Sequence, residues 1–163
     1  MRHPAEVLFA GEKPFPILPA VDHYAGSEKL MRKALALQNE LGPIFDITCD
    51  CEDGAHAGAE REHAEMAADV IMGADNLHHR VGARIHDVTH PYWQQDLEIL
   101  VARAGTRLPF ITLPKPCSAG DVQVQIEALR EIEQDFGVDR RIPVHVLIET
   151  HGALRDAWEI AAL

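Results

Sequence analysis

The sequence predicts an α/β protein with a parallel sheet. It reads either as about the first five units of an eightfold (β/α)₈ TIM barrel or as a complete five-stranded doubly wound sheet. Three observations carry this expectation. Short apolar runs bounded by turn residues alternate with longer segments of helical period. The runs are apolar enough for strands covered on both faces, where in/out alternation is lost. From Ile44 to Pro143 the strand–helix units average about 33 residues, close to the roughly 31 per unit of a barrel of about 250 residues. Five strands fall about three units, on the order of 100 residues, short of closing such a barrel, so the expectation is an incomplete chain. A doubly wound sheet would be complete at 163 residues.

The elements follow in order. Candidate strands are Phe15 to Ala20, Ile44 to Cys49, Val81 to Ile85, Pro109 to Leu113 and Pro143 to Ile148. Ser27 caps a helix with Leu30, Ala34, Leu37 and Leu41 on one face, stopped by Gly42 and Pro43. Ala57 to Met72 is Ala-rich and helical. Gln94 to Ala104 turns Leu97, Leu100 and Val101 inward and ends at Gly105. Ser118 with Asp121 forms a capping box for a helix carrying Val122, Ile126, Leu129 and Phe136, with Gly137 as its stop. A last helix begins between Leu154 and Trp158. Residues 1–14 read as an N-terminal extension, and 15–163 as part of one domain.

Composition narrows the function. The chain is 47% hydrophobic and 25% charged, which is ordinary for a globular domain. Its 15 Lys and Arg against 26 Asp and Glu give a net charge of −11, with no basic cluster to neutralise phosphates, so nucleic acid and anionic membranes are not expected partners. Three cysteines make no disulfide framework and fit a reducing compartment, hence a cytoplasmic expectation. No window approaches a membrane span.

The chemistry gathers after the strands. Asp50, Glu52 and Asp53 follow Phe-Asp-Ile-Thr-Cys; Arg84 lies in Gly-Ala-Arg-Ile; Lys115 follows Ile-Thr-Leu-Pro; Glu149 follows Val-His-Val-Leu-Ile. In a parallel α/β sheet all carboxyl ends open on one face, so these charges are expected to converge on one crevice. Carboxylates beside an Arg and a Lys suit metal-assisted chemistry on a small anionic substrate. Oxygen donors hold Mg²⁺, and an Arg fork grips a carboxylate.

Asp50-Cys51-Glu52-Asp53-Gly54 resembles the Asp-Leu-Glu-Asp-(Ala/Gly) signature of the HpcH/HpaI aldolase and citrate lyase beta-subunit family, with Cys51 in place of the usual Leu. Arg84-Ile85, Asp96-Leu97, Leu113-Pro114-Lys115 and Ile148-Glu149-Thr150 with Gly152 follow in the family's order. The resemblance implies a (β/α)₈ barrel lyase that makes or breaks a carbon–carbon bond through a Mg²⁺-stabilised enolate, with Mn²⁺ as the alternative ion. Its substrate would be a 3-hydroxy acid, its CoA thioester or a hydroxy-keto acid. By the same analogy Glu149 is a metal ligand, Arg84 and Lys115 bind substrate, and Glu52 and Asp53 assist proton transfer. A second carboxylate ligand is expected beyond residue 163, and the assembly is expected to be a homotrimer or homohexamer. The rival reading is a non-catalytic binding or assembly module with a half-barrel fold.

Other signals carry less. The ten histidines include His86 and His90 at helical spacing, but Pro91 argues against a helix there, and His145 reads as a core residue. Cys49-x-Cys51 lacks the second pair that zinc requires. The sequence has no Gly-x-Ser-x-Gly elbow, no P-loop and no Gly-x-Gly-x-x-Gly after the first strand.

Overall fold

The computed structural model describes residue 19 and residues 21–163. Five strands alternate with helices: β1 (Asp22–Ala25), α1 (Glu28–Leu41), β2 (Asp46–Asp50), α2 (Glu60–Met72), β3 (Val81–Arg84), α3 (Trp93–Ala104), β4 (Ile111–Leu113), α4 (Ala119–Asp135) and β5 (Val144–Val146). Two short helices follow, α5 (His151–Arg155) and α6 (Ala157–Ala161). All neighbouring strands pair in parallel, in the order β1-β2-β3-β4-β5.

That order decides between the two architectures. A doubly wound sheet reverses its strand order at a switch point, which lets helices cover both faces. Here every step goes the same way, and right-handed crossovers then put the connecting helices on one face. The alternative of a doubly wound sheet is therefore overturned. What remains is five consecutive units of a (β/α)₈ barrel.

Register shows what each face carries. Ala25, Cys49, Ala83, Ile111 and Val144 form one cross-strand row, and Ile47 pairs with Val81; this is the apolar face. It is buried with Leu97, Leu100, Leu129 and Met31 from the helices in one continuous core. Each such large side chain withdrawn from water contributes about 1.5–3 kcal/mol. Ala64, Ala67 and Ala68 are fully buried in α2, and their small size lets α2 lie close against α3. The other face is polar: Tyr24 stands beside Thr48, and Asp50, Arg84, Thr112 and His145 form a row. Both faces of the central strands are covered, as expected, but they differ in polarity, because the second face is the inner wall of a barrel.

Several boundaries shift. The expected strand Phe15 to Ala20 lies outside the described residues except for Pro19, which is not in a strand, and the first strand described is the polar segment Asp22–Ala25. Ile44 is exposed ahead of β2. In α1 the buried positions are Met31, Ala34, Leu35 and Gln38, whereas Leu30, Leu37 and Leu41 are exposed. The helix carries two apolar stripes, and the one headed by Met31 meets the sheet. Leu30 and Leu37 instead line a cavity of about 490 Å³ with Val21, Ile44 and Phe45. Ser118 and Asp121 do form the capping box of α4, although Phe136 lies exposed past its end. Trp158 is 87% exposed. Among the described residues no helix is long and apolar enough to cross a membrane.

Candidate active site

The carboxyl ends of β2, β3, β4 and β5 bring the expected residues to one rim. Asp50 ends β2 and Arg84 ends β3, in register with each other. Arg84 Nε donates to Asp50 Oδ1 at 2.8 Å and Nη2 to Oδ2 at 2.6 Å, a bidentate pair. Its third nitrogen, Nη1, lies 3.0 Å from Glu52 Oε2. Two guanidinium N–H groups are thus committed to Asp50, and Nη1 is held beside Glu52. Tyr24 of β1 lies under the guanidinium, 5.1 Å from ring centroid to Cζ, a cation–π contact.

Asp50 also turns the chain. Its two oxygens accept from the main-chain N–H of Glu52 and of Gly54 at 3.0 and 2.9 Å, which fixes the loop that presents Glu52 and Asp53. Gly54 packs against Gly26 of the loop after β1, and a Cβ on Gly26 would overlap the Gly54 carbonyl. Burial alone would push the Asp50 carboxyl up; the Arg84 bond and the two main-chain donors outweigh it and hold the group below the usual carboxylate range. Glu52 goes the other way. Burial raises its pKa, with Lys115 and Arg84 opposing. Its side chain is 5% exposed, and although both oxygens touch a cation, neither makes an aligned hydrogen bond among the described residues. A buried carboxylate left short of donors is equipped to take a proton or a ligand hydrogen bond.

Lys115 ties the rim together. Its Nζ lies 2.8 Å from Asp53 and 3.1 Å from Glu52, and its main-chain N–H donates to Glu149 Oε1 at 2.8 Å. The hydrogen bond to Asp53, with Glu52 assisting, raises the ammonium pKa. This residue sits between Pro114 and Pro116 at φ 49, a left-handed conformation that costs on the order of 1–3 kcal/mol for a non-glycine residue. Nearby, Thr150 accepts from Ala153 N–H at 2.9 Å and so caps α5 just after Glu149. A Cβ on Gly152 would overlap the Cys117 carbonyl, so glycine is what lets the β4 and β5 loops close up.

Glu52, Asp53, Arg84, Lys115 and Glu149 thus form one connected set. A cavity of about 230 Å³ opens beside it, walled by Glu52, Asp53, His86, His90 and Lys115 among others. Sequence reasoning missed Asp50 as the partner of Arg84, Tyr24 beneath it, and the pairing of His86 with Asp96. The alternation Asp46, Thr48, Asp50 was the available signal, because it places three polar side chains on one strand face. Among the described residues no three His, Cys, Asp or Glu side chains cluster as a ready metal cage. Mg²⁺ needs only one or two protein carboxylates plus water. Glu149, exposed and oriented by the Lys115 N–H, offers an oxygen donor on a rim rich in carboxylates, which fits a hard cation.

An inner polar wall and a charged carboxyl rim define a barrel of the kind that houses enzyme sites at this end. The chain belongs to the HpcH/HpaI aldolase/citrate lyase family, whose model matches residues 44–163. A citrate lyase structure from Burkholderia xenovorans LB400 superposes with a TM-score of 0.86 and 46% identity, covering 90% of this chain and 46% of that one. L-malyl-CoA/beta-methylmalyl-CoA lyase from Cereibacter sphaeroides is 28% identical over 116 residues, 71% of this chain and 36% of the lyase. The CitE protein from Mycobacterium tuberculosis, solved with magnesium and acetate, shares the fold with a TM-score of 0.60 and 21% identity, covering 88% of this chain and 50% of that one. The chain spans about a third to a half of the length of these relatives.

Proposed function

We propose that the protein acts as a Mg²⁺-dependent carbon–carbon lyase or aldolase on a 3-hydroxy acid, its CoA thioester or a hydroxy-keto acid. The observation that carries this reading is the contact chain from Arg84 through Glu52 and Lys115 to Glu149 at one rim. The relatives named citrate lyase and malyl-CoA lyase support the same class. Residues 15–163 then belong to a single barrel lyase domain preceded by an extension over 1–14, working in the cytoplasm as a homo-oligomer.

Each residue has a part in the chemistry. Glu149 would hold the cation, and Mn²⁺ could replace Mg²⁺ on the same oxygen donor. Bound there, the ion supplies positive charge against the enolate that forms when the carbon–carbon bond breaks. Arg84 binds the substrate carbonyl or carboxylate through guanidinium N–H groups that Asp50 leaves free. Lys115 adds a positive charge to the substrate-facing wall. Glu52 takes the hydroxyl proton, which burial of its carboxyl favours. Asp53 holds Lys115 in place and assists the proton transfer from its position next to Glu52.

Two measurements test this. Calorimetric titration of the full chain with Mg²⁺ is expected to show binding that Glu149→Gln weakens at least about 10-fold. Unchanged binding removes Glu149 from the metal. A panel of hydroxy acids, CoA thioesters and hydroxy-keto acids, scored for retro-aldol products with Mg²⁺ present, is expected to yield cleavage of one class. No cleavage of any class favours the half-barrel binding module.

A further inference from the structure

His86 follows β3 by two residues and is held more firmly than an ordinary loop histidine. Asp96, fully buried in the first turn of α3, accepts from the His86 main-chain N–H at 3.0 Å and engages its ring Nδ1 at 2.6 Å. From α4, buried Gln125 donates to the His86 carbonyl at 3.3 Å. The residue is therefore fixed from two helices, its imidazole from α3 and its main chain from both. Its Nδ1 is committed to a carboxylate, which leaves Nε2 as the nitrogen available for chemistry. The ring walls the same 230 Å³ cavity as Glu52 and Lys115. His90 stacks on it with centroids 3.8 Å apart and planes within 9°.

We propose that His86 carries the proton to and from carbon in the cleavage proposed above, delivering it from Nε2 to the terminal carbon of the enolate. This rests on the lyase reading. The step balances as follows. Glu52 takes the proton of the substrate hydroxyl as that oxygen becomes a carbonyl. The electron pair of the breaking carbon–carbon bond passes into the enolate. The enolate re-forms its carbonyl as its carbon takes the proton from imidazolium His86. Neutral His86 then recovers a proton from Glu52 across the cavity, so none is gained or lost overall. Two titratable groups with opposite tasks line one cavity, which is the arrangement an acid–base pair requires.

The charges around His86 support the assignment. Burial alone would drive the proton off; the hydrogen bond and charge of Asp96 outweigh it, with Glu52 and Glu60 adding to them, and the ring pKa is raised. Asp53, Asp87 and His56 line the same cavity, as does the cation Lys115, already held by Asp53 and Glu52. Asp96 acts as a positioning residue, setting the ring nitrogen and its charge.

The test is exchange of methyl protons in D₂O, followed by proton NMR, with pyruvate and with acetyl-CoA as separate probes, full chain and Mg²⁺ present. By microscopic reversibility the same nitrogen must remove the proton it delivers. His86→Gln is expected to lower exchange about 100-fold or more, with circular dichroism checking that the variant is folded at the assay temperature. Asp96→Asn is expected to move the limb of the pH profile that follows His86 to lower pH, a shift that a purely structural role would not produce. Wild-type exchange and an unchanged profile in His86→Gln overturn the proton assignment and leave the lyase reading standing. No wild-type exchange with either probe overturns the lyase reading, and His86 falls with it. Should His86→Gln fail to fold, the imidazole titration of wild-type His86 by NMR decides instead, and a value at or below that of ordinary histidine overturns the assignment.

Discussion

Asp50→Ala is expected to cost about 3–5 kcal/mol of folding stability, the range for breaking a buried ion pair from one side. Asp50 accepts both forks of Arg84 and two loop N–H groups with a side chain only 5% exposed. Its removal strands a guanidinium whose only other carboxylate contact among the described residues is Glu52. Domains are stable by only about 5–15 kcal/mol, so a loss of this size leaves the variant marginal at room temperature. Urea unfolding at pH 7 measures it, and a loss below about 1 kcal/mol would remove the pair from the stability of the rim. The pH dependence has a definite sign. Asp50 is held below its usual pKa in the fold, so its contribution is complete above the unfolded value of about 3.9 and disappears as pH falls through the lower, folded one. Asp50→Asn is expected to flatten that acid limb.

Gly26→Ala is the second large effect. The new methyl would overlap the Gly54 carbonyl, a main-chain atom with no rotamer to escape into. The loop carrying Glu52 and Asp53 has to move, at a cost of about 1–3 kcal/mol in stability. Catalysis should suffer more than folding does, because a displacement near 1 Å at a reacting group costs on the order of 100-fold. The check is a comparison of kcat for the cleaved substrate with the urea midpoint. A variant that loses stability but keeps kcat would show that the contact braces the fold without aiming the carboxylates.

The spacing of the units and two of the helix ends were legible because each is local, whereas Ser27 stands at the start of α1 without a side-chain capping bond. The Ser118–Asp121 box and the stop at Gly42 need only near neighbours, and both are present. Strand β1 escaped notice because Asp22-His23-Tyr24 is polar, and only its position on an inner barrel wall explains that. The same cause hid the face of α1: Leu30 and Met31 are equally apolar, and the sheet they could meet is remote in sequence. At the rim, the positions of Glu52, Arg84, Lys115 and Glu149 followed from strand ends alone. Their wiring did not, because Asp50 meets Arg84 through a register, and His86 meets Asp96 across a strand–helix turn. Pairings of that kind depend on three-dimensional closure, which periodicity does not encode.

One peptide unit, at Lys115, has its amide on Glu149 and its ammonium on Asp53 and Glu52. Glu149 and the acidic loop after β2 are therefore mechanically joined through a single residue. A change at Asp53 is expected to disturb the position of Glu149 at the same time, and compensating changes will have to be selected in pairs.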